Sequence, residues 1–149
     1  MIRVQNKDFS VEEEINLLSE KFLNIGAISS FIGIVRNKNI KDDLISMTLE
    51  HYPGMTEKML QKIEKEALSR WNLIDTCIIH RYGELLPGDQ IVLVITASEH
   101  RKEAVESCYF IIDWLKTKGP FWKYEKTKTN GHWVEAKEED TNEELKWSK

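Results

Sequence analysis

Cationic side chains gather at three points in this sequence where the backbone offers them something to hold. The run Ser98-Glu99-His100-Arg101 leads into an apolar stripe of helical spacing. Ser98 is read as the cap of that helix, with His100 and Arg101 in its first turn. Positive charge there opposes the helix macrodipole by roughly half a kcal/mol. An anion reverses the penalty, because free backbone amides, a guanidinium and an imidazole converging on one point make a phosphate site. The plain alternative is that both side chains are simply solvated, as most surface charges are.

The second point is a pair of lysines. Lys116 lies four residues after Ile112, beside the buried stripe and near the helix end, and Lys123 lies in the strand that follows. Alternation puts Phe121, Lys123 and Glu125 on one face of that strand, so Glu125 is placed to hold Lys123. Amines flanked by apolar surface lose hydration, which suits them to move a proton or to face a carboxylate. The alternative is that both are ordinary lysines that snorkel and favour a helix C-terminus. The third point is Arg36-Asn37-Lys38-Asn39, a basic loop after an apolar strand, where sheets often present ligand contacts. Cys77 falls in an apolar strand and Cys108 on the helical stripe, so both read as small core hydrophobes. His51, His80 and His132 are scattered without metal spacing and receive no catalytic role.

The elements that must position these residues follow from periodicity. Met1 to Phe9 reads as a short strand. Ser10, with Glu13 three residues on, forms a capping box for a first helix whose stripe is Val11, Ile15, Leu18 and Phe22. Gly26 to Val35 reads as a central strand, and Leu44 to Tyr52 as the next. Pro53 is expected at the first position of a second helix, with Met55, Met59, Leu60, Ile63, Ala67, Leu68 and Trp71 in helical register behind it. Ile74 to Tyr82 and Gln90 to Ala97 read as strands joined through the turn Leu86-Pro87-Gly88-Asp89. The third helix carries Ala104, Cys108, Ile111, Ile112 and Leu115 and stops by Gly119, because Pro120 forbids continuation. A hairpin, Phe121 to Thr127 and His132 to Ala136, turns through Thr129-Asn130-Gly131. Lys137 to Lys149 is highly charged and reads as a surface tail or short terminal helix. The expectation is one α+β domain over residues 1–136, with a mixed or antiparallel sheet, three main helices and a C-terminal hairpin, followed by a charged tail over 137–149.

Bulk properties narrow the function classes. With 149 residues, of which 41% are hydrophobic, the chain buries one substantial core. A formal charge of -4 argues against coating a nucleic-acid backbone, so any anion site is local. Two cysteines make no disulfide framework and fit a reducing compartment. No apolar run approaches the roughly 20 residues of a membrane span, and a cytoplasmic location is expected.

Six stretches are together similar to the large subunit of molybdopterin synthase, the MoaE family. They are Phe31-Ile-Gly-Ile-Val-Arg-Asn37, Leu49-Glu-His-Tyr-Pro-Gly-Met55, His80-Arg-Tyr-Gly-Glu-Leu85 with Pro87-Gly-Asp89, Ser98-Glu-His-Arg101, Ile112-Asp-Trp-Leu-Lys116, and Pro120-Phe-Trp-Lys123. They run in family order over nearly the whole chain. The resemblance implies an α/β-hammerhead fold and a homodimer of large subunits within a heterotetramer. Each large subunit would take a small ubiquitin-like sulfur carrier, whose C-terminal Gly-Gly thiocarboxylate enters near Lys116. Sulfur would pass to cyclic pyranopterin monophosphate, in two transfers, to build a dithiolene. The resemblance assigns Lys116 and Lys123 as catalytic. It places Ile34, Val35, Arg36, His100, Arg101, Lys116, Lys123, Tyr124 and Glu125 at substrate-contacting positions, and calls for no metal or other cofactor.

Two departures from the family pattern bear on secondary contacts. Tyr124 stands where a basic residue commonly follows the lysine, and Ile40-Lys41-Asp42-Asp43 lacks a common glycine. Two rival functions lie in another class. One is a non-catalytic single-stranded nucleic-acid module that stacks bases on the aromatic, basic stretch from Lys116 to Trp133, which the acidic charge and the lack of an RNP-like motif disfavour. The other is an inactive scaffold for a ubiquitin-like partner, which the two lysines disfavour.

Overall fold

The computed structural model describes residues 1–37, 43–128, 130–134 and 147. Lys38 and Asn39 of the basic loop, Ile40 to Asp42, Thr129 and most of the charged C-terminal stretch lie outside the described residues. In chain order the elements are β1 (Ile2–Gln5), α1 (Val11–Lys21), β2 (Ala27–Ile34), β3 (Leu44–His51), α2 (Met55–Arg70), β4 (Asp75–Arg81), β5 (Gly83–Leu85), β6 (Gln90–Ser98), α3 (Arg101–Lys118), β7 (Phe121–Thr127) and β8 (Gly131–Trp133). The expected class is the one found: α+β, with three helices and two sheets among the described residues.

The first sheet has the order β1-β4-β6-β2 and is mixed, because β1 runs parallel to β4 while the other pairs are antiparallel. The continuous apolar run of β6 has its reason here. Val92 and Val94 face one core cluster, Leu93 and Ile95 face the other, and residues from Ile91 to Ser98 are all buried. α1 covers one face of the sheet through Leu18, Val11, Ile15 and Phe22. Ser10 caps this helix as expected, its Oγ accepting from the Glu13 amide at 3.3 Å. α2 and α3 cover the opposite face through Leu60, Ile63 and Ala67 and through Ala104, Cys108 and Ile111.

The second sheet, β5-β3-β7-β8, is antiparallel throughout and shares the larger core through Leu44, Met47, Leu49 and Leu85. The expected C-terminal hairpin is its β7–β8 pair, with Gly131 already in β8; Thr129 of the expected turn and Glu135 and Ala136 of the expected second strand lie outside the described residues.

Four local expectations are corrected. Among the described residues β2 is the edge strand of the first sheet rather than a central one, and its mostly half-buried residues reflect a single neighbour, β6. β4 and β6 are not joined by the Pro-Gly turn alone. Gly83 adopts φ +92° and turns the chain out of the first sheet, so that β5 pairs with β3 before the turn is reached. That turn then forms as read, with Gly88 at φ +92° and the Asp89 amide donating to the Leu86 carbonyl at 2.9 Å. Pro53 precedes α2 rather than opening it. The N-cap is Gly54 at φ +85°, a conformation that needs glycine, and its amide donates to the Glu57 carboxylate at 2.7 Å. Finally, Ser98 is the buried end of β6 and its hydroxyl donates to the His100 carbonyl, so His100 is the N-cap of α3 and Arg101 its first residue.

In the C-terminal stretch the structure describes Trp147. Trp147 packs edge-on against Trp71, Phe110 and Tyr109, and its indole Nε1 donates to the Asp113 carboxylate at 2.5 Å. Its carbonyl accepts from Arg70 at 2.8 Å. A large ring with a polar edge finds an apolar seat and a buried acceptor in the groove between α2 and α3.

Candidate functional site

The expected site residues fall into two groups, and the path of α3 decides which. α3 follows β6 after a two-residue link, Glu99 and His100, and packs back along β6 and β2. Its C-terminus therefore returns to the end of the sheet where β6 begins and where antiparallel β2 finishes, Ile34 pairing with Gln90. Arg36, just past β2, and Lys116, in the last turn of α3, share that end, and both are exposed. Val35 between them and the core is only 2% exposed. Its amide donates to the Asp89 carbonyl at 2.9 Å and its carbonyl accepts from the Gly88 amide at 2.8 Å. This anchor aims Ile34 and Arg36 outward; Ile34 is half-exposed beside a register shift at Gly33.

Lys123 reaches the same end from the second sheet. On β7, Phe121, Lys123 and Glu125 stand opposite His51, Leu49 and Met47 of β3. Because Leu49 and Met47 are buried, this is the inward face, and Lys123 is half-buried on it. Glu125 lies 3.8 Å from His132 Nε2 across the hairpin, a pairing that no spacing in the sequence signals. Tyr124 projects from the other face, its ring 5.2 Å from that of Trp133 and its hydroxyl over Gly131. The alternation that brings Lys123 inward turns Tyr124 outward.

His100 and Arg101 are elsewhere. They are exposed at the N-terminal end of α3, separated from Lys116 by about 22 Å at ~1.5 Å of helical rise per residue. The expectation that the first turn and the last turn of one helix line a single pocket is therefore not met within one chain. A shallow cleft of about 380 Å³ adjoins the His100 end, lined by Phe22, Leu23, Ile25 and Gly26 among others. Gly26 marks how closely it abuts: its amide donates to the Ser98 carbonyl at 2.9 Å, and a side chain there would collide with the Glu99 carbonyl. None of the expected site residues lines this cleft.

A group that the sequence left without a role lies against Phe121, the same-face neighbour of Lys123 on β7. His80, at the end of β4, is 6% exposed and lies flat on Phe121, with ring centroids 3.5 Å apart and planes 11° apart. Its Nδ1 is 2.8 Å from the Arg81 carbonyl, which makes Nδ1 the donor and leaves a lone pair on Nε2. Burial pushes the imidazole down to about 3; the hydrogen bond to Arg81 opposes that shift, and the nearby charges of Lys123 and His51 add to it. His51 completes the cluster, its ring 4.6 Å from Tyr82 and 6.1 Å from Phe121. A signal was present, since a histidine that closes the apolar run Cys77-Ile78-Ile79 has an interior strand position to fill.

Both thiols are held protonated. Burial, and next the Glu14 carboxylate, push Cys77 up to about 11, and burial raises Cys108, whose Sγ faces the Val94 carbonyl. Among the described residues no three His, Cys, Asp or Glu side chains cluster in a way that would hold a metal, and no helix is long and apolar enough to cross a membrane.

Comparison with known proteins follows the same outline. Residues 4–118 match the family model described as MoaE protein. The chain is 50% identical over 146 residues to the molybdopterin synthase catalytic subunit of Ralstonia nicotianae, covering 98% of this chain and 83% of that one. It is 49% identical to the protein of the same name from Escherichia coli, covering 98% and 97%. Its fold superposes on a molybdopterin biosynthesis MoaE protein from Burkholderia ambifaria with a TM-score of 0.85 at 46% identity, over 100% of this chain and 98% of that one.

Proposed function

The chain belongs to the MoaE protein family, and from that premise we propose that it is the catalytic subunit of a molybdopterin synthase, a sulfurtransferase acting with a small carrier subunit. The carrier's C-terminal thiocarboxylate is the sulfur donor and cyclic pyranopterin monophosphate the acceptor. The observation that carries this reading is the convergence of Arg36, Lys116 and Lys123, from three different elements, on one end of the molecule. Cations gathered around a half-buried amine suit a reaction whose donor and acceptor are both anionic.

In this reading Lys116 faces the thiocarboxylate, offsets its charge and passes a proton at the transfer centre. Lys123, on the inward face, binds the pterin and protonates the oxygen that leaves as the sulfur–carbon bond forms, and water then cleaves the carrier's acyl–sulfur bond, releasing the carrier as its carboxylate. His100 and Arg101, amid the free amides of the α3 N-terminus, clamp the phosphate. Because about 22 Å of helix separates that clamp from Lys116, the complete centre combines the lysine end of one copy with the clamp end of another. The homodimer thereby acquires a chemical purpose.

The test is reconstitution. Purified chain, thiocarboxylated carrier and the cyclic pterin phosphate should yield dithiolene product, and no product from the folded dimer would refute the assignment. Salt-sensitive binding to single-stranded oligonucleotides, in place of turnover, would favour a nucleic-acid module instead.

A further inference from the structure

Lys123 needs a fixed approach to whatever it protonates, yet it stands on a strand with a flexible four-carbon stem. Stacked on Phe121, its same-face neighbour on β7, lies a rigid group. His80 is clamped three ways: by burial at the end of β4, by its flat stack on Phe121, and by the hydrogen bond from Nδ1 to the Arg81 carbonyl. Phe121 and Lys123 are two residues apart on the same face of β7, so their Cβ atoms are separated by about 7 Å. The ring under Phe121 is thus within reach of a lysine stem. The groups whose charge the ring senses are Lys123 from β7 and His51 from β3, and both favour a neutral imidazole. His51 in turn lies 3.1 Å from the Thr56 hydroxyl through Nδ1.

We propose that His80 is a positioning residue for sulfur transfer: its ring, locked in one tautomer by the Arg81 carbonyl and shelved on Phe121, presents the Nε2 lone pair to the Lys123 ammonium and fixes where that proton donor points. The inference rests on Lys123 being the proton donor of the proposed reaction. The chemistry is specific to a neutral imidazole. A second cation at this depth would repel the lysine, and an apolar ring of the same shape would keep the shelf but lose the acceptor.

His80→Phe separates these roles, since it keeps the stack and removes the lone pair. In the full-length protein carrying isotope-labelled lysine, the Lys123 side-chain resonance is followed by NMR through its titration, and sulfur transfer is measured across pH with the carrier and the cyclic pterin phosphate. The expected result is a Lys123 midpoint lowered by about half a pH unit or more, with kcat reduced about tenfold, KM little changed and the pH–rate profile displaced in the same direction. His80→Gln, which restores a carbonyl acceptor, should recover part of both. A Lys123 titration and pH profile unchanged in His80→Phe overturn the proposal. Where His80→Phe does not fold, His80→Leu removes the same lone pair and its Lys123 titration decides. The titration needs no substrate, so failure of the wild-type protein to make product refutes the assigned reaction without moving this readout.

Discussion

Each candidate side chain has a separate burden. Lys116 is exposed at a helix end, so replacing it disturbs no packing. Lys116→Ala should abolish sulfur transfer in the reconstituted assay while leaving carrier binding largely intact, and near-normal turnover would remove it from the reaction. Arg101→Ala should mainly weaken pterin binding, and calorimetry showing unchanged affinity would remove it from the phosphate clamp. His80 makes a prediction about stability. Its folded pKa is pushed down to about 3, so the folded state refuses a proton that the unfolded chain accepts near 6.5. The contribution is therefore fully present above about 6.5 and is lost as pH falls through the window toward 3, at up to ~1.4 kcal/mol per pH unit. Urea melts of wild type and His80→Phe across that window should diverge in slope; parallel curves would mean that the imidazole charges without cost.

At the scale of elements, the geometry at the start of α3 depends on glycine rather than on a polar cap. A Cβ on Gly26 would lie 2.1 Å from the Glu99 carbonyl oxygen, a backbone atom that cannot swing away. Gly26→Ala should cost about 1–3 kcal/mol and displace the start of α3. Thermal melts and anion binding at that end report it, and a wild-type melting temperature would show that the two segments part easily. α3 itself acts as a spacer: its 18 residues hold two cationic groups at fixed opposite ends. β7 is the complementary device, a strand whose alternation sends Lys123 inward and Trp122 and Tyr124 outward.

At the scale of the whole molecule, the separation of the two cationic groups becomes a prediction about pairs of chains. If each centre takes Lys116 from one copy and Arg101 from another, Lys116→Ala and Arg101→Ala subunits should complement each other. Random exchange makes half the dimers mixed and leaves each mixed dimer one intact centre, so at a pterin concentration too low to occupy the Arg101→Ala protein, where neither variant turns over alone, a mixture of the two should recover up to about a quarter of wild-type activity. A mixture as inactive as its parts would place both residues in one copy or exclude one of them. Trp147 links the far C-terminus to the groove between α2 and α3. Trp147→Ala should lower stability by about 1–3 kcal/mol in denaturant melts, with little effect on sulfur transfer.

Periodicity and local chemistry were enough for the three helices, the Ser10 cap, the Pro87-Gly88 turn, the terminal hairpin and the structural role of both cysteines. All of these depend on neighbours within a few residues. The resemblance carried by six ordered motifs was likewise legible in the chain alone. What the sequence could not carry was anything set by distant partners. Gly26 to Val35 is as apolar as a central strand yet has one neighbour in the sheet among the described residues; Ser98 looks like a cap but is buried as the last rung of β6. His80 looks isolated until β7 folds over it, and His100 and Lys116 look like neighbours in function until α3 is measured. Tertiary structure decided these points because side-chain pairing across sheets, and distance along a rigid helix, are fixed only when segments remote in the chain are packed against one another.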